Sequence, residues 1–159
     1  MLKLILRHRA IFPSVLGLAL ALTGNSAFAQ QSATIDPEAP AVKSVQSLIS
    51  QLKSSSNDIQ EINVHVKTAS GLATVASTNS DTVGKAPPLK DAEVIEDKTL
   101  SIRNNDGVFD IKVPLKTSGG ESYGSAAIML GQSGLTIPKA KEKAFAIAKK
   151  IEQAFAEEK

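Results

Sequence analysis

The 159-residue sequence has no cysteine and no tryptophan, one tyrosine (Tyr123) and two histidines. Without cysteine there is no disulfide, no lipid-modified cysteine anchor and no thiolate ligand for zinc. His8 lies in an N-terminal segment that reads as removable, which leaves His65 as the one histidine of the mature chain. A lone histidine gives little support to a metal centre or a hydrolase triad, and no G-x-S-x-G elbow occurs. A strand-surface histidine is the plainer reading of His65. The Asn104 to Gly107 stretch lacks the alternating oxygen ligands of a calcium loop and reads as a hairpin turn.

What is present first is an address. "MLKLILRHRA" carries Lys3, Arg7 and Arg9, residues 11–22 carry no charge, and "NSAFA" ends in small residues at Ala27 and Ala29. This pattern predicts a cleaved signal peptide over 1–29, because a membrane span needs about 20 apolar residues and this run is shorter. Of 18 Lys+Arg, three fall in 1–29, which leaves 15 against 16 Asp+Glu and a mature net charge of −1. The cationic excess belongs to the targeting segment, so nothing argues for nucleic acid as a partner. The expectation is a periplasmic or secreted chain with no membrane anchor after cleavage.

About 130 residues remain, enough for one domain with its own core. Residues 30–41, with two prolines, read as a flexible leader, and 42–159 as a single domain. Val42, Val45, Leu48, Ile49 and Leu52 recur at helical spacing, and serines at 54–56 stop the pattern. "INVHVK" alternates, "TASG" turns and "LATVAS" returns, a predicted hairpin. The stretch "STNSDTVGKAPP", 77–88, holds no alternation long enough for a strand. It crosses a face or an edge of the sheet and leads to a short helical turn expected near 89–95. "TLSIR" and "VFDIKVPL" form a second hairpin, with Phe109, Ile111, Val113 and Leu115 on one face. "YGSAAIML" is small or apolar in both phases, as a central strand requires. The last helix begins near Ile137, with Thr136 as N-cap, Pro138 in its first turn and a stripe of Ala140, Ala144, Ile147, Ile151, Ala154 and Phe155. Glu96-Asp97 and Glu157-Glu158 read as solvated charge.

Two stretches, "VHVKTASGLATVASTNSDTVGKA" and "DGVFDIKVPLKTSGGESYGSAAIML", resemble the periplasmic single-Cache or PDC-type sensor domains. The likeness rests on a strand ending in "AST-N", a "VGK" element, a valine-proline-leucine strand end and a "YG-A" central strand, and it covers roughly residues 62–130. It implies an α+β fold, a PAS/Cache-like five-stranded antiparallel sheet in the order 2-1-5-4-3 with flanking N- and C-terminal helices. It also implies a cover, here 77–88, lying over the sheet with Val83 tucked inward, and a ligand pocket beneath. The clustered Arg, Trp, Tyr and Asp motif of double-Cache amino-acid receptors is not recognisable. No output module is expected after Lys159, and the expected protein is a free-standing binding or sensory accessory module.

In that arrangement the small residues Gly124, Ser125, Ala126 and Ala127 leave a gap. The candidate ligand-binding residues around it are His65, Lys67, Thr82, Lys85, Arg103, Lys112, Tyr123 and Ala127, with Asp110 nearby. A small carboxylate meeting Arg103 or a lysine is the expected ligand class. A membrane receptor or transporter is the expected protein partner. No cofactor, metal or catalytic residue is expected. The alternatives are that the polar phase faces water and 77–88 is a rigid connection, in which case the chain is an interaction module without a ligand. An enzyme is the least favoured class.

Overall fold

The computed structural model describes residues 34–157; the segment read as a signal peptide lies outside the described residues. Helix α1 (Pro40–Ser54) is followed by strands β1 (Ile59–Thr68) and β2 (Gly71–Ser77), a 3-10 turn (Ser80–Thr82) and helix α2 (Leu89–Asp97). Strands β3 (Ser101–Asn105), β4 (Val108–Lys116) and β5 (Ser122–Gly131) and helix α3 (Ile137–Glu157) complete the chain. All pairings are antiparallel, in the order β2-β1-β5-β4-β3, as the family resemblance implied. The protein is therefore an α+β domain of PAS-like architecture, with its N- and C-terminal helices flanking a five-stranded sheet.

One face of the sheet is apolar because each strand's alternation points the same way. Val64 faces Ala126, which in turn faces Val113, and Ile62, Ile128 and Ile111 form the next row. All six are buried, under the stripes of α1 (Val42, Val45, Ile49) and α3 (Ala140, Ala144, Ile147, Ile151, Phe155). A fully buried isoleucine contributes about 1.5–3 kcal/mol, so this layer carries most of the stability. Proline opens α1 at its first position, where a missing N–H costs nothing. Polar contacts then fix where the helices sit. Gln46 of α1 donates to the Ser77 carbonyl and accepts from the Ser77 N–H, both at 2.9 Å. Lys143 of α3 reaches Asp58 at 2.6 Å and Ser56 at 2.7 Å. Part of the segment read as a loose leader is docked too: Ile35 packs against the core and its N–H donates to the Lys67 carbonyl at 2.7 Å.

Three register shifts interrupt the ladders. At one of them Leu115 faces Gly124 while Lys116 faces Ser122, so Tyr123 is the extra residue of a bulge. Pro114 lies past the end of β3, whose register stops at Lys112, so the missing N–H leaves no gap in that ladder. Gly84 and Lys85 pair with β2: the Thr74 N–H donates to the Lys85 carbonyl at 2.9 Å, and the Gly84 N–H donates to the Thr74 carbonyl at 2.8 Å. The 77–88 connection therefore runs along the sheet's edge, and Val83, expected to tuck inward, is 45% exposed. The element that covers the second face is α2. No helix among the described residues is long and apolar enough to cross a membrane.

Candidate functional site beneath helix α2

The second face of the sheet is polar and still buried. His65 of β1, Ser125 of β5 and Lys112 of β4 share it with Ala127, and each is at most 6% exposed. Alternation assigns these residues to the face opposite the core, and alternation alone would give them to water. Burial comes from α2, where Asp91, Val94 and Ile95 are all buried and follow the i, i+3, i+4 spacing of one helix face. The surface-histidine reading of His65 is corrected accordingly: its side chain is enclosed, because the strand bearing it is roofed by a helix.

The polar groups satisfy one another from the ends inward. Thr74 spends its own N–H and carbonyl on the 84–85 segment, which leaves its side chain close to that of His65, its cross-strand partner. The His65 Nδ1 and Thr74 Oγ1 are 2.9 Å apart. On β4, Lys112 Nζ donates to both oxygens of Asp110, at 2.9 and 3.0 Å. It also stands 3.3 Å from Asp91 Oδ1, which has no well-aligned hydrogen-bond donor. His65 Nε2 is 3.6 Å from the same oxygen, too far for a hydrogen bond. The Ser125 hydroxyl donates to the Asp91 backbone carbonyl at 3.4 Å. Beside this network, Asn63 Oδ1 accepts from the Ser77 hydroxyl and, at 3.2 Å, from Thr82.

Burial sets the charge states. Removal from water, and then the Lys112 charge, hold His65 down at about 4, so it is neutral at pH 7 and its approach to Asp91 is not an ion pair. Burial also raises Asp91 above the usual carboxylate value, a shift that Lys112 opposes. One fixed cation therefore faces two carboxylates of unequal satisfaction. Asp110 holds both lysine hydrogen bonds, and Asp91 is the weaker partner. Among the described residues no group of three or more His, Cys, Asp or Glu is placed to hold a metal ion.

The structure brings together three of the eight residues expected at a site, His65, Lys112 and Ala127. Thr82 sits next to this cluster on Asn63. Lys67 is half-buried, donates to the Ser122 carbonyl at 3.3 Å and lines a separate cleft of about 230 Å³ with Ile95 and Glu96. The Lys85 side chain is exposed, and only its backbone is engaged. Arg103 pairs in register with Asp110 but is exposed on the outermost strand, and Lys112 already holds that carboxylate. Tyr123 is turned to the opposite side by its bulge and packs edge-to-face on Phe155, with ring centres 5.6 Å apart. The expected gap at Gly124 is also absent: a Cβ there would stand 2.3 Å from the His65 carbonyl oxygen, so the space belongs to the β1 backbone.

No family model and no curated protein matches the chain. Similarity to solved structures is one of fold. The chain is similar to the type II free methionine-R-sulfoxide reductase of Thermoplasma acidophilum, at TM-score 0.53 and 14% identity over 74% of this chain and 94% of that one. It is similar to the GAF domain/HD domain protein from Geobacter sulfurreducens, at TM-score 0.52 and 12% identity, covering 74% and 90% of the two chains. A third similar structure is fRMsr of Staphylococcus aureus in complex with substrate, at TM-score 0.50 and 13% identity over 72% and 93%. At these identities the reductases' chemistry does not transfer with the fold.

Asp91 and Thr74 were missed by sequence reasoning, and Ser125 entered it only as a small residue beside the gap. Asp91 had a usable signal, since it shares the helical face of Val94 and Ile95. A carboxylate in line with two buried aliphatics points to a partner on the opposing sheet.

Proposed function

We propose that this chain is an exported, Cache-like small-molecule-binding or sensory accessory module whose ligand, a small carboxylate, occupies the face beneath α2. The observation that carries the reading is the unequal pairing around Lys112, one carboxylate doubly hydrogen-bonded and one held by proximity alone. A ligand carboxylate would take the place of Asp91 against Lys112, with His65 as a neutral donor or acceptor at its side. Displacing Asp91 would loosen α2, which meets the sheet here through the Asp91 contacts and two aliphatic residues. The binding event would thereby change the surface that α2 presents to a membrane receptor or transporter.

Thermal shift of the purified protein with acetate, succinate and pyruvate tests this, because a ligand that binds the folded state raises its apparent stability. Asp91→Asn removes the internal competitor and should enlarge the shift. Ala127→Leu, which fills the floor beside Lys112, should abolish it, while Ala126→Leu, on the core face, serves as control. Absence of any shift in both the parent and Asp91→Asn would sink the ligand reading. The interaction-module reading would then take its place, favoured by Ile137 and Phe145, which are 50% and 45% exposed on α3.

A further inference from the structure

On the other side of the sheet, where the β4–β5 turn meets the end of α3, lies an open groove of about 490 Å³. Its volume falls within the roughly 300–1,000 Å³ of small-molecule sites. Ile35, Phe155 and the ring of Tyr123 supply apolar walls, and Lys116, Lys149 and Glu152 supply charge. The groove depends on the bulge: without the extra residue, Tyr123 would point to the second face with Ser125 and Ala127. Tyr123 is 4% exposed and its hydroxyl has no hydrogen-bond partner, although a buried hydroxyl left unpaired costs about 1–3 kcal/mol.

We propose that this groove is a second ligand site, for a short-chain monocarboxylate whose tail lies against Ile35 and Phe155 and whose carboxylate accepts from the Tyr123 hydroxyl. One oxygen of Glu152 is already engaged by the Lys116 N–H at 2.7 Å, and the two lysines outnumber the one acid. Burial, and then the charge of Glu152, raise the phenol well above its ordinary value, so it keeps its proton and remains a donor. This site is independent of the one beneath α2 and shares no lining residue with it.

The chain supplies its own reporter, because Tyr123 is its single tyrosine and it has no tryptophan. Hexanoate titrated into the purified protein should change tyrosine emission saturably, and hexanamide should bind more weakly by calorimetry. Tyr123→Phe deletes only an unpartnered hydroxyl, so it should fold as the parent does. By calorimetry, since this variant has no tyrosine left to report, it should bind hexanoate about ten-fold more weakly than the parent, the loss expected for one hydrogen bond to a charged group. No saturable response to hexanoate, equal affinity for hexanamide, or unchanged affinity in Tyr123→Phe would each overturn the proposal. Hexanoate that binds equally well to Tyr123→Phe but is lost in Ala127→Leu would place it beneath α2, leaving the first reading intact.

Discussion

The ammonium of Lys112 on β4 stands 3.3 Å from the Asp91 carboxylate on α2, an ionic contact across a face that is otherwise closed to water. Both side chains are buried, so neither charge has solvent to fall back on. Replacing Lys112 by Met would leave Asp91 and Asp110 facing each other without a cation. The expected loss is about 3–5 kcal/mol in urea denaturation. Adding Asp91→Asn to the same chain should recover part of it, since the uncompensated charge is then removed. A Lys112→Met protein as stable as the parent would mean that α2 does not close over this face.

Stability should fall on mild acidification, and His65 is the cause. Its folded value of about 4 lies below the ordinary 6.5, so the unfolded chain takes up the proton more readily. The contribution is complete above about pH 6.5 and is lost as pH falls toward 4. Asp91 acts in the opposite sense: its raised value lets the folded state take a proton first, which adds stability as pH falls toward 3.8. Between about pH 7 and about pH 5.5 the expected loss is about 1 kcal/mol, and His65→Gln should flatten it. A parent that loses no more stability over that range than His65→Gln does would show that His65 is protonated equally in both states.

Gly124 should tolerate no side chain. Its missing Cβ would meet the His65 carbonyl oxygen at 2.3 Å, and that oxygen belongs to the backbone and cannot swing aside. Gly124→Ala is expected to cost about 2–3 kcal/mol. Gly119→Ala, exposed in the β4–β5 turn, should stay within about 0.5 kcal/mol of the parent. Thermal denaturation of the pair compares the two.

Lys98 closes α2 in the left-handed region at φ 57°, a conformation that glycine adopts without penalty. Lys98→Gly should therefore stabilise the protein by about 1 kcal/mol. Because the gain lies at the end of α2, slower amide exchange there would locate it. No change in either quantity would mean that the exposed Lys98 side chain makes a compensating contact.

Much of the architecture could be read from alternation and helical spacing. The stripes of α1 and α3 and the shared face of Phe109, Ile111, Val113 and Leu115 all appear where the pattern put them. The strand order came from the family resemblance, since hairpin signals show which strands are consecutive but not that β5 inserts between β1 and β4. The site was harder to read for two physical reasons. Alternation reports which face a residue takes, not whether something covers that face, so whether His65 and Lys112 lined a site or faced water stayed open. A bulge also reverses the phase beyond it. Nothing in "ESYGS" announces that Tyr123 turns toward α3, so counting in twos from Ala127 put it on the wrong side.

The pairing of Gly84 and Lys85 with Thr74 bears on how this molecule behaves in a crowd. A sheet's outermost strand offers unpaired amides and carbonyls to any other chain, and growth strand by strand is the commonest route to fibrous aggregates. Here the amide and carbonyl of Thr74 are already spent within the molecule. At the far side β3 is five residues long and carries exposed Arg103, Asn104 and Asn105, poor material for templating. A chain that turned Gly84 and Lys85 away from Thr74 would keep its core and gain a free template, so concentration-dependent polymerisation would be its first symptom, ahead of any loss of fold.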